Sequence, residues 1–180
     1  PLSYPVVPAK MPPQPEENMN MPIETGQQTP GFELFDHEGN AVKLSDMTGT
    51  PVVVAFFPAA FTGVCETELC TFRDAMSAFN EIDAKVLGIS VDSRFANAAF
   101  AAANDLNFPL LSDYNRETIK AWDLVFPDLA GMPGYDVARR SVYVIDADGK
   151  VAWCWLSDSP GDEPPYEEVM KATESLAQTN

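Results

Sequence analysis

The stretch that most constrains this chain is residues 52–74, VVVAFFPAAFTGVCETELCTFRD. Its first part is an unbroken apolar run rich in β-branched and aromatic residues, which indicates a strand buried on both faces of a sheet. From Cys65 onward, apolar side chains recur at helical spacing: Leu69, Phe72, Met76 and Phe79. The stretch therefore predicts a buried strand, a short turn and a long helix in direct succession.

The turn between strand and helix, PAAFTGVC, brings Cys65 into the first turn of the helix. Free N–H groups and the positive dipole end of a helix stabilise an anion there, so the nucleophilic thiolate form of cysteine is favoured. Thr62 is a good N-terminal capping residue whose hydroxyl is placed to donate to the same sulfur, and Pro58 would wall the pocket against water. Most free cysteines are small buried hydrophobic residues, and it is the position at the turn that makes Cys65 a candidate nucleophile.

The segment PAAFTGVC fits P-x-x-x-T-x-x-C, the active-site motif of the peroxiredoxins, which this chain resembles over most of residues 31–177. The resemblance implies a thioredoxin-like fold and a thiol peroxidase. Because Cys70 gives C-x-x-x-x-C, the chain resembles the bacterioferritin-comigratory-protein (peroxiredoxin Q) branch. The surrounding FTGVCETEL is also similar to the AhpE-like one-cysteine group. Both branches stay open at this point.

Composition limits the classes of function. A chain of 180 residues can form one domain with a good core, and its apolar runs are far shorter than the ~20 residues that cross a bilayer. We expect no membrane association and, since the N-terminus lacks a secretory pattern, a cytoplasmic protein. A net charge of −16 disfavours nucleic acid as a partner. Three cysteines, an odd number, favour redox chemistry in a reducing compartment over a disulfide-stapled scaffold.

Periodicity predicts the organisation of the rest of the chain. Residues 1–29 are rich in proline and show no clear period, which predicts a flexible N-terminal tail ahead of a domain over residues 30–180. Residues 32–35 and 41–44 flank HEGN and predict an N-terminal hairpin. Further patterns predict strands at 84–91 and 108–111, helices at 95–103, 114–122 and 166–177, and a loop at 125–137. This alternation predicts an α/β fold with a mostly parallel central sheet covered by helices on both faces.

The remaining reactive residues are few. His37, the one histidine, lies in the predicted hairpin turn and is a poor candidate for a general base. The cysteine spacing does not supply a structural zinc site, and no motif implies a metal, haem, flavin or other cofactor. Residues 141–156 predict two strands joined by the turn D-A-D-G. Cys154 lies in the second of them and is interpreted as a buried structural cysteine, with a resolving role as the lesser alternative.

The resemblance also implies roles for an arginine and an acid. In peroxiredoxins an arginine at the start of a late strand lies against the reactive sulfur, and R-S-V-Y-V-I-D is similar to that segment, which implies this role for Arg140. Its guanidinium would favour the thiolate and bind a peroxide oxygen. The neighbouring Arg139 is interpreted as solvent-facing. Glu68 is a helix-start acid by position, and the resemblance implies that it orients an arginine such as Arg140 or Arg73.

The expected activity is reduction of hydrogen peroxide and organic hydroperoxides through a sulfenic acid on Cys65. The resemblance implies resolution by a Cys65–Cys70 disulfide that a thioredoxin-like or other thiol reduces. An intact helix holds the two Cα atoms about 8–9 Å apart, whereas a disulfide needs about 4.4–6.8 Å, so the helix start must unwind. Three alternatives stay open: Cys70 as a packing residue with an external thiol reducing Cys65, a redox sensor that reacts once, and a homodimer rather than a monomer. A thioredoxin-type oxidoreductase expects C-x-x-C, which is lacking here.

Overall fold

The computed structural model describes residues 21–178, in which strands and helices alternate through most of the chain. The strands are β1 (Glu33–Asp36), β2 (Ala41–Lys43), β3 (Val52–Phe56), β4 (Lys85–Ser90), β5 (Leu110–Ser112), β6 (Val125–Phe126), β7 (Val137–Ala138), β8 (Ser141–Ile145) and β9 (Val151–Leu156). The α-helices are α1 (Gly63–Glu81), α2 (Arg94–Ala103), α3 (Glu117–Ala121) and α4 (Tyr166–Ala177). Of these helices, none is long and apolar enough to cross a membrane.

Seven strands form one sheet in the order β2-β1-β5-β4-β3-β8-β9, and β6 and β7 form a separate ribbon. The α/β class and the N-terminal hairpin β1–β2 are confirmed. The prediction of a mostly parallel sheet is wrong, because only β3–β4 and β4–β5 pair in parallel and every other pair in the sheet is antiparallel. The physical reason lies in the two hairpins. Strands joined by a tight turn must run antiparallel, so the N-terminal hairpin and β8–β9 surround a short parallel centre.

Strand β3 is buried along its whole length, as its apolar run predicts. Side chains alternate between the two faces of a strand, and β3 therefore contributes to two separate apolar clusters. Val53 and Ala55 pack with apolar residues of α1, α2 and α4. Val52, Val54 and Phe56 pack with residues in and after α3. Helices thus cover both faces, three on one and the short α3 on the other.

Helix α1 carries the segment that follows the turn. Its buried residues include the predicted apolar series Leu69, Phe72, Met76 and Phe79. It begins at Gly63, two residues before the position that the periodicity marks. The carboxyl ends of β3 and β4 lie side by side because the strands are parallel, so the start of α1 lies at the edge of the sheet where both strands end.

Two elements differ from the sequence-based expectation. The helix predicted at 114–122 begins only at Glu117, because Arg116 adopts a left-handed backbone (φ 63°) and the Asp113 carboxylate accepts the N–H groups of Thr118 and Ile119 at 3.0 and 2.9 Å. The segment expected as a loop at 125–137 contains β6 and ends in β7, which pair as a short antiparallel ribbon.

The folded domain begins earlier in the chain than the predicted start at residue 30. Residues 23–29, assigned by composition to the tail, pack on the domain: Ile23 is buried, and Gly26 N–H donates to the Val151 carbonyl at 2.7 Å. Val151 N–H donates in return to the Gln27 carbonyl at 2.9 Å. One apolar anchor and a few backbone bonds are enough to order this segment, and neither leaves a periodic pattern. Residues 1–20 lie outside the described residues, and their flexibility stays a prediction.

Candidate active site

The turn of residues 57–62 connects β3 to α1 and places Cys65 in the first turn of that helix, fully buried. Glu66 N–H donates to the Thr62 carbonyl at 2.9 Å, which closes the first helical hydrogen bond. Within residues 21–178, the N–H groups of Val64 and Cys65 donate to no acceptor. The start of α1 therefore offers free backbone donors and the positive end of its dipole next to the sulfur.

The guanidinium of Arg140 lies directly against this sulfur, with 3.2 Å between Nη2 and Cys65 Sγ. Arg140 directly precedes β8, and Phe56 pairs with Ser141 at the end of the β3–β8 ladder, so the arginine lies beside the end of β3. The Pro160 carbonyl accepts hydrogen bonds from Arg140 Nε at 3.1 Å and from Nη2 at 2.7 Å. The arginine is 2% exposed. A buried positive charge is thus held at one fixed place beside the thiol.

The neighbouring Arg139 points elsewhere. Its Nη2 pairs with Asp158 at 2.8 Å, and that carboxylate is 99% exposed. Its Nε donates to the Ser157 carbonyl at 2.6 Å. Arg139 is therefore the surface member of the arginine pair.

Glu68 is fully buried on α1, and its Oε2 accepts a hydrogen bond from Arg140 Nη1. Its other oxygen, Oε1, has no hydrogen-bond partner among the described residues. Burial raises the pKa of Glu68 to about 7, the Arg140 charge opposes this rise, and the charge of Glu163 adds to it. The arginine that Glu68 contacts is Arg140. Arg73, the alternative from the sequence, pairs with Asp74 instead.

The raised pKa of Glu68 predicts a pH-dependent stability. Because this pKa is about 7 in the folded chain and about 4.5 in an exposed carboxyl, the folded state holds the proton over that range. The contribution of Glu68 to stability is therefore full below pH about 4.5 and is lost as the pH rises through about 7. The glutamine in Glu68→Gln does not titrate. As the pH rises through this window, the unfolding free energy of the wild type should therefore fall relative to that of Glu68→Gln, by up to ~3 kcal/mol.

Urea unfolding of both proteins at several pH values checks this. Other carboxyls titrate alike in the two proteins and cancel in the difference. Parallel stability curves for wild type and Glu68→Gln would contradict the prediction.

Thr62 occupies the N-cap position of α1, but its side chain does not cap the helix. The hydroxyl donates to the Ala59 carbonyl at 2.9 Å. The expected donation from Thr62 to the Cys65 sulfur is therefore not what the structure has, because the one hydroxyl proton is used within the turn. Its oxygen is left as a hydrogen-bond acceptor on an exposed residue three positions before Cys65. Pro58 is buried at the start of the turn, where it has no N–H to satisfy.

An acid that the sequence reasoning missed supports the turn from β4. Asp92 follows the carboxyl end of that strand, and its Oδ2 accepts the Ala60 N–H at 2.8 Å and the Ser90 hydroxyl at 2.9 Å. The position of Asp92 in the sequence could have indicated this role. It directly follows a predicted strand, and the parallel strand beside it ends at the P-x-x-x-T-x-x-C motif.

Cys70 lies further along α1 and is half-buried where α1 meets the end of α2. Its sulfur is 3.6 Å from Arg73 Nη1 and 3.7 Å from Asn104 Oδ1. Arg73 Nη1 also donates to the Asn104 carbonyl at 2.7 Å. Cys65 and Cys70 are both free thiols in a continuous helix.

The other two candidate residues lie away from this cluster. Cys154 pairs with Tyr143 in the β8–β9 ladder and packs in the apolar cluster on the other side of the sheet from Cys65. The interpretation of Cys154 as a buried structural cysteine is only partly right, because β9 is an edge strand and leaves the residue half-exposed. His37 is half-buried, and its Nδ1 accepts the N–H of Leu110 at 3.0 Å at the start of β5.

The comparisons with known proteins identify the family. The model of the AhpC/TSA family matches residues 25–154. Peroxiredoxin Bcp of Bacillus subtilis is 36% identical over 135 residues, which are 75% of this chain and 86% of the relative. The chain is a peroxiredoxin. Chloroplastic peroxiredoxin Q of Sedum lineare is also 36% identical, over 154 residues that cover 86% of this peroxiredoxin and 80% of the relative.

Solved structures agree with this identification. Peroxidoxin BcpB of Mycobacterium tuberculosis superposes with a TM-score of 0.75 at 31% identity, over 86% of this peroxiredoxin and 98% of that chain. Peroxiredoxin Q of Xanthomonas campestris gives a TM-score of 0.72 at 26% identity, over 81% and 91% of the two chains. The thioredoxin-like fold is confirmed, and these relatives support the Bcp and peroxiredoxin Q branch. This peroxiredoxin is a thiol peroxidase, an oxidoreductase that acts on peroxides with thiol reductants.

Proposed function

We propose that Cys65 is the nucleophile of this peroxidase and that hydrogen peroxide and organic hydroperoxides are its substrates. The observation that carries the proposal is the 3.2 Å contact between Cys65 Sγ and Arg140 Nη2 at the start of α1. A fixed cation and free backbone N–H groups favour the thiolate over the thiol. The same donors can bind the oxygens of a peroxide as charge moves onto them.

Thr62 completes the peroxide site in this proposal. Its hydroxyl proton is already used by the Ala59 carbonyl, so its oxygen accepts the O–H of a hydroperoxide and orients the molecule. The Cys65 thiolate attacks that oxygen: an S–O bond forms, the O–O bond breaks, and the distal oxygen takes up a proton and leaves as water or alcohol. Sulfur is oxidised to the sulfenic acid and the peroxide is reduced. Arg140 stabilises the charge on the leaving oxygen.

Two further residues support this chemistry without touching the peroxide. Pro58 is buried at the start of the turn and helps to exclude water from the sulfur. Glu68 holds the Arg140 guanidinium at Nη1, whereas the Cys65 sulfur contacts Nη2. In this proposal both are positioning residues, and the residues that contact substrate are Cys65, Thr62 and Arg140.

We further propose that Cys70 resolves the sulfenic acid by an intramolecular disulfide with Cys65. A continuous α1 keeps the two Cα atoms about 8–9 Å apart, so this step requires the start of the helix to unwind. The new S–S bond forms as the sulfenic oxygen leaves as water, and a thioredoxin-like or other thiol then reduces the disulfide. Such a reductant and three free cysteines favour the cytoplasm as the compartment.

Mass spectrometry tests both parts of this proposal. After one equivalent of hydrogen peroxide, intact mass with thiol alkylation should show loss of two hydrogens in the wild type. Cys70→Ser should instead retain an added oxygen on Cys65 as sulfenic or sulfinic acid. Cys154→Ser is the matched control, and it should behave as the wild type.

A wild type that accumulates the oxygen adduct would contradict resolution by Cys70. The protein would then be a one-cysteine peroxidase in which an external thiol reduces Cys65 directly. The contacts of Cys70 with Arg73 and Asn104, which help to hold it inside an intact helix, favour this alternative. A protein that reacts once and is not reduced by any thiol would be a sensor.

A further inference from the structure

The turn of residues 57–62 contains a strained backbone position. Phe61 has φ of 60°, in the left-handed region that bulky side chains rarely adopt. Its ring is 60% exposed and makes an edge contact with Phe100 at 5.1 Å between centroids. Such a conformation persists only where its surroundings hold it. The question is therefore which groups hold this turn.

The two ends of the turn are held by backbone hydrogen bonds, from Phe57 N–H to the Ile89 carbonyl at 3.0 Å and from Glu66 N–H to the Thr62 carbonyl at 2.9 Å, and the side chain of Asp92 holds its middle. Its Oδ2 accepts the Ala60 N–H at 2.8 Å, directly before the strained residue. The acid is itself fixed, since Ser90 Oγ donates to the same oxygen at 2.9 Å and Ser112 Oγ donates to the Asp92 carbonyl at 2.6 Å. Ser90 is fully buried and Ser112 is nearly so. The carboxylate therefore ties the turn to the ends of β4 and β5.

We propose that Asp92 is a positioning residue that latches the active-site turn in its peroxide-reactive conformation. This inference rests on the proposed roles of Thr62 and Cys65. The Asp92–Ala60 bond keeps Ala59 and Thr62 in register, so the Thr62 oxygen faces the peroxide beside the sulfur. Release of that bond lets the strained turn relax and the start of α1 unwind.

The latch predicts opposite effects on the two half-reactions. Reaction with peroxide needs the turn closed, because Thr62 and the first-turn N–H groups must be in place. Reaction of the sulfenic acid with a second thiol or with dimedone needs the turn open, because these groups are bulkier than the O–O–H end of a peroxide and Cys65 is fully buried while the turn is closed. Weakening the latch raises the open population. The first reaction should therefore slow and the second should accelerate.

Asp92→Ala tests the latch, with the two steps measured separately. Rapid quenching into denaturant, followed by alkylation of the Cys65 thiol that remains, gives the rate constant with peroxide, which should fall about tenfold. Dimedone labelling of the sulfenic acid in a Cys70→Ser background gives the opening step, which should become about threefold faster. Asp92→Asn keeps an acceptor oxygen for the Ala60 N–H and should restore both rate constants toward those of the wild type.

Ser93→Ala is the matched control. Ser93 lies next to Asp92 and caps α2 by accepting the Ala96 N–H at 3.2 Å, and within residues 21–178 its side chain makes no hydrogen bond to the turn. Like Asp92→Ala, this substitution removes a side chain that accepts a backbone N–H, and it therefore lowers the stability of the fold. Both rate constants should nevertheless stay within about twofold of the wild-type values. The proposal is overturned if Asp92→Ala slows both steps, or changes neither, or matches Ser93→Ala. If Asp92→Ala does not fold, Ser90→Ala takes its place because it removes the hydroxyl that fixes the Asp92 carboxylate, and an unchanged ratio of the two rate constants in that variant overturns the proposal.

The two proposals fail in distinguishable ways. If Cys65 is not the nucleophile, alkylation of Cys65 is unaffected by peroxide in the wild type itself. If Cys70 does not resolve, the dimedone measurement still reports opening, since Cys70 is absent from that background. If only the latch proposal is wrong, the wild type is still oxidised at Cys65, but Asp92→Ala does not change the two rate constants in opposite directions.

Discussion

Replacing Cys65 with serine is expected to lower the rate constant for peroxide reduction by more than ~10³-fold. A serine hydroxyl stays protonated near neutral pH, and Arg140 and the helix dipole cannot turn it into a nucleophile comparable to a thiolate. Peroxide consumption with a thiol reductant in excess measures the effect. The substitution leaves the packing of α1 almost unchanged, because serine is close in size to the cysteine it replaces.

The other two cysteines are the controls for this result. Cys154→Ser should keep wild-type turnover, since Cys154 lies on the other side of the sheet. Cys70→Ser should keep the first reaction with peroxide and lose the disulfide. A Cys65→Ser protein that retained a tenth of wild-type activity would refute Cys65 as the nucleophile.

Replacing Arg140 with methionine should lower the second-order rate constant for peroxide by ~10²–10³-fold. The variant loses the cation that lies 3.2 Å from the sulfur and that, in the proposed mechanism, stabilises charge on the leaving oxygen. Arg140→Lys keeps a charge but cannot contact Cys65, Glu68 and the Pro160 carbonyl together, so its rate constant should lie between the two. Competition for peroxide against a reference peroxidase measures all three rate constants.

Loss of Arg140 also leaves the buried carboxyl of Glu68 without its partner, which destabilises the fold. The double variant Arg140→Met with Glu68→Gln separates these effects: stability should recover and activity should not. Arg139→Met is the matched control at the adjacent position, because that arginine pairs with an exposed carboxylate. Equal losses of activity in the two arginine variants would show that charge near the site, rather than contact with the sulfur, is what matters.

The geometry makes Arg140 the shared member of three interactions. It binds the sulfur, the Glu68 carboxylate and the Pro160 carbonyl, and it belongs to the segment leading into β8 rather than to the motif. The contact between Arg140 and the Cys65 thiol, the proposed nucleophile, therefore depends on the correct pairing of β3 with β8, two strands far apart in sequence. A substitution that displaces the loop containing Pro160 should also displace Arg140, because the Pro160 carbonyl accepts two of its hydrogen bonds.

Local chemistry was readable from the sequence. The apolar run of β3, the helical spacing of α1 and the motif between them are short-range patterns, and they place Cys65 at a helix start without any knowledge of the fold. The hairpin turns were equally readable, since turn residues act over a few positions. The same hairpins argue against a mostly parallel sheet, because each adds an antiparallel pair of strands.

Long-range placement was decided only by the tertiary structure. Nothing in the order of residues distinguishes Arg140 from Arg139 except resemblance, and it is the β3–β8 register that aims one at the sulfur and the other at solvent. Asp92 became visible as a support of the turn only when β4 lay beside β3. The sequence predicts that the Thr62 hydroxyl donates to sulfur, but the conformation of the turn makes it donate to the Ala59 carbonyl instead. Sequence patterns determined what each segment forms, whereas strand pairing determined which side chains meet, because those contacts join residues that no local pattern connects.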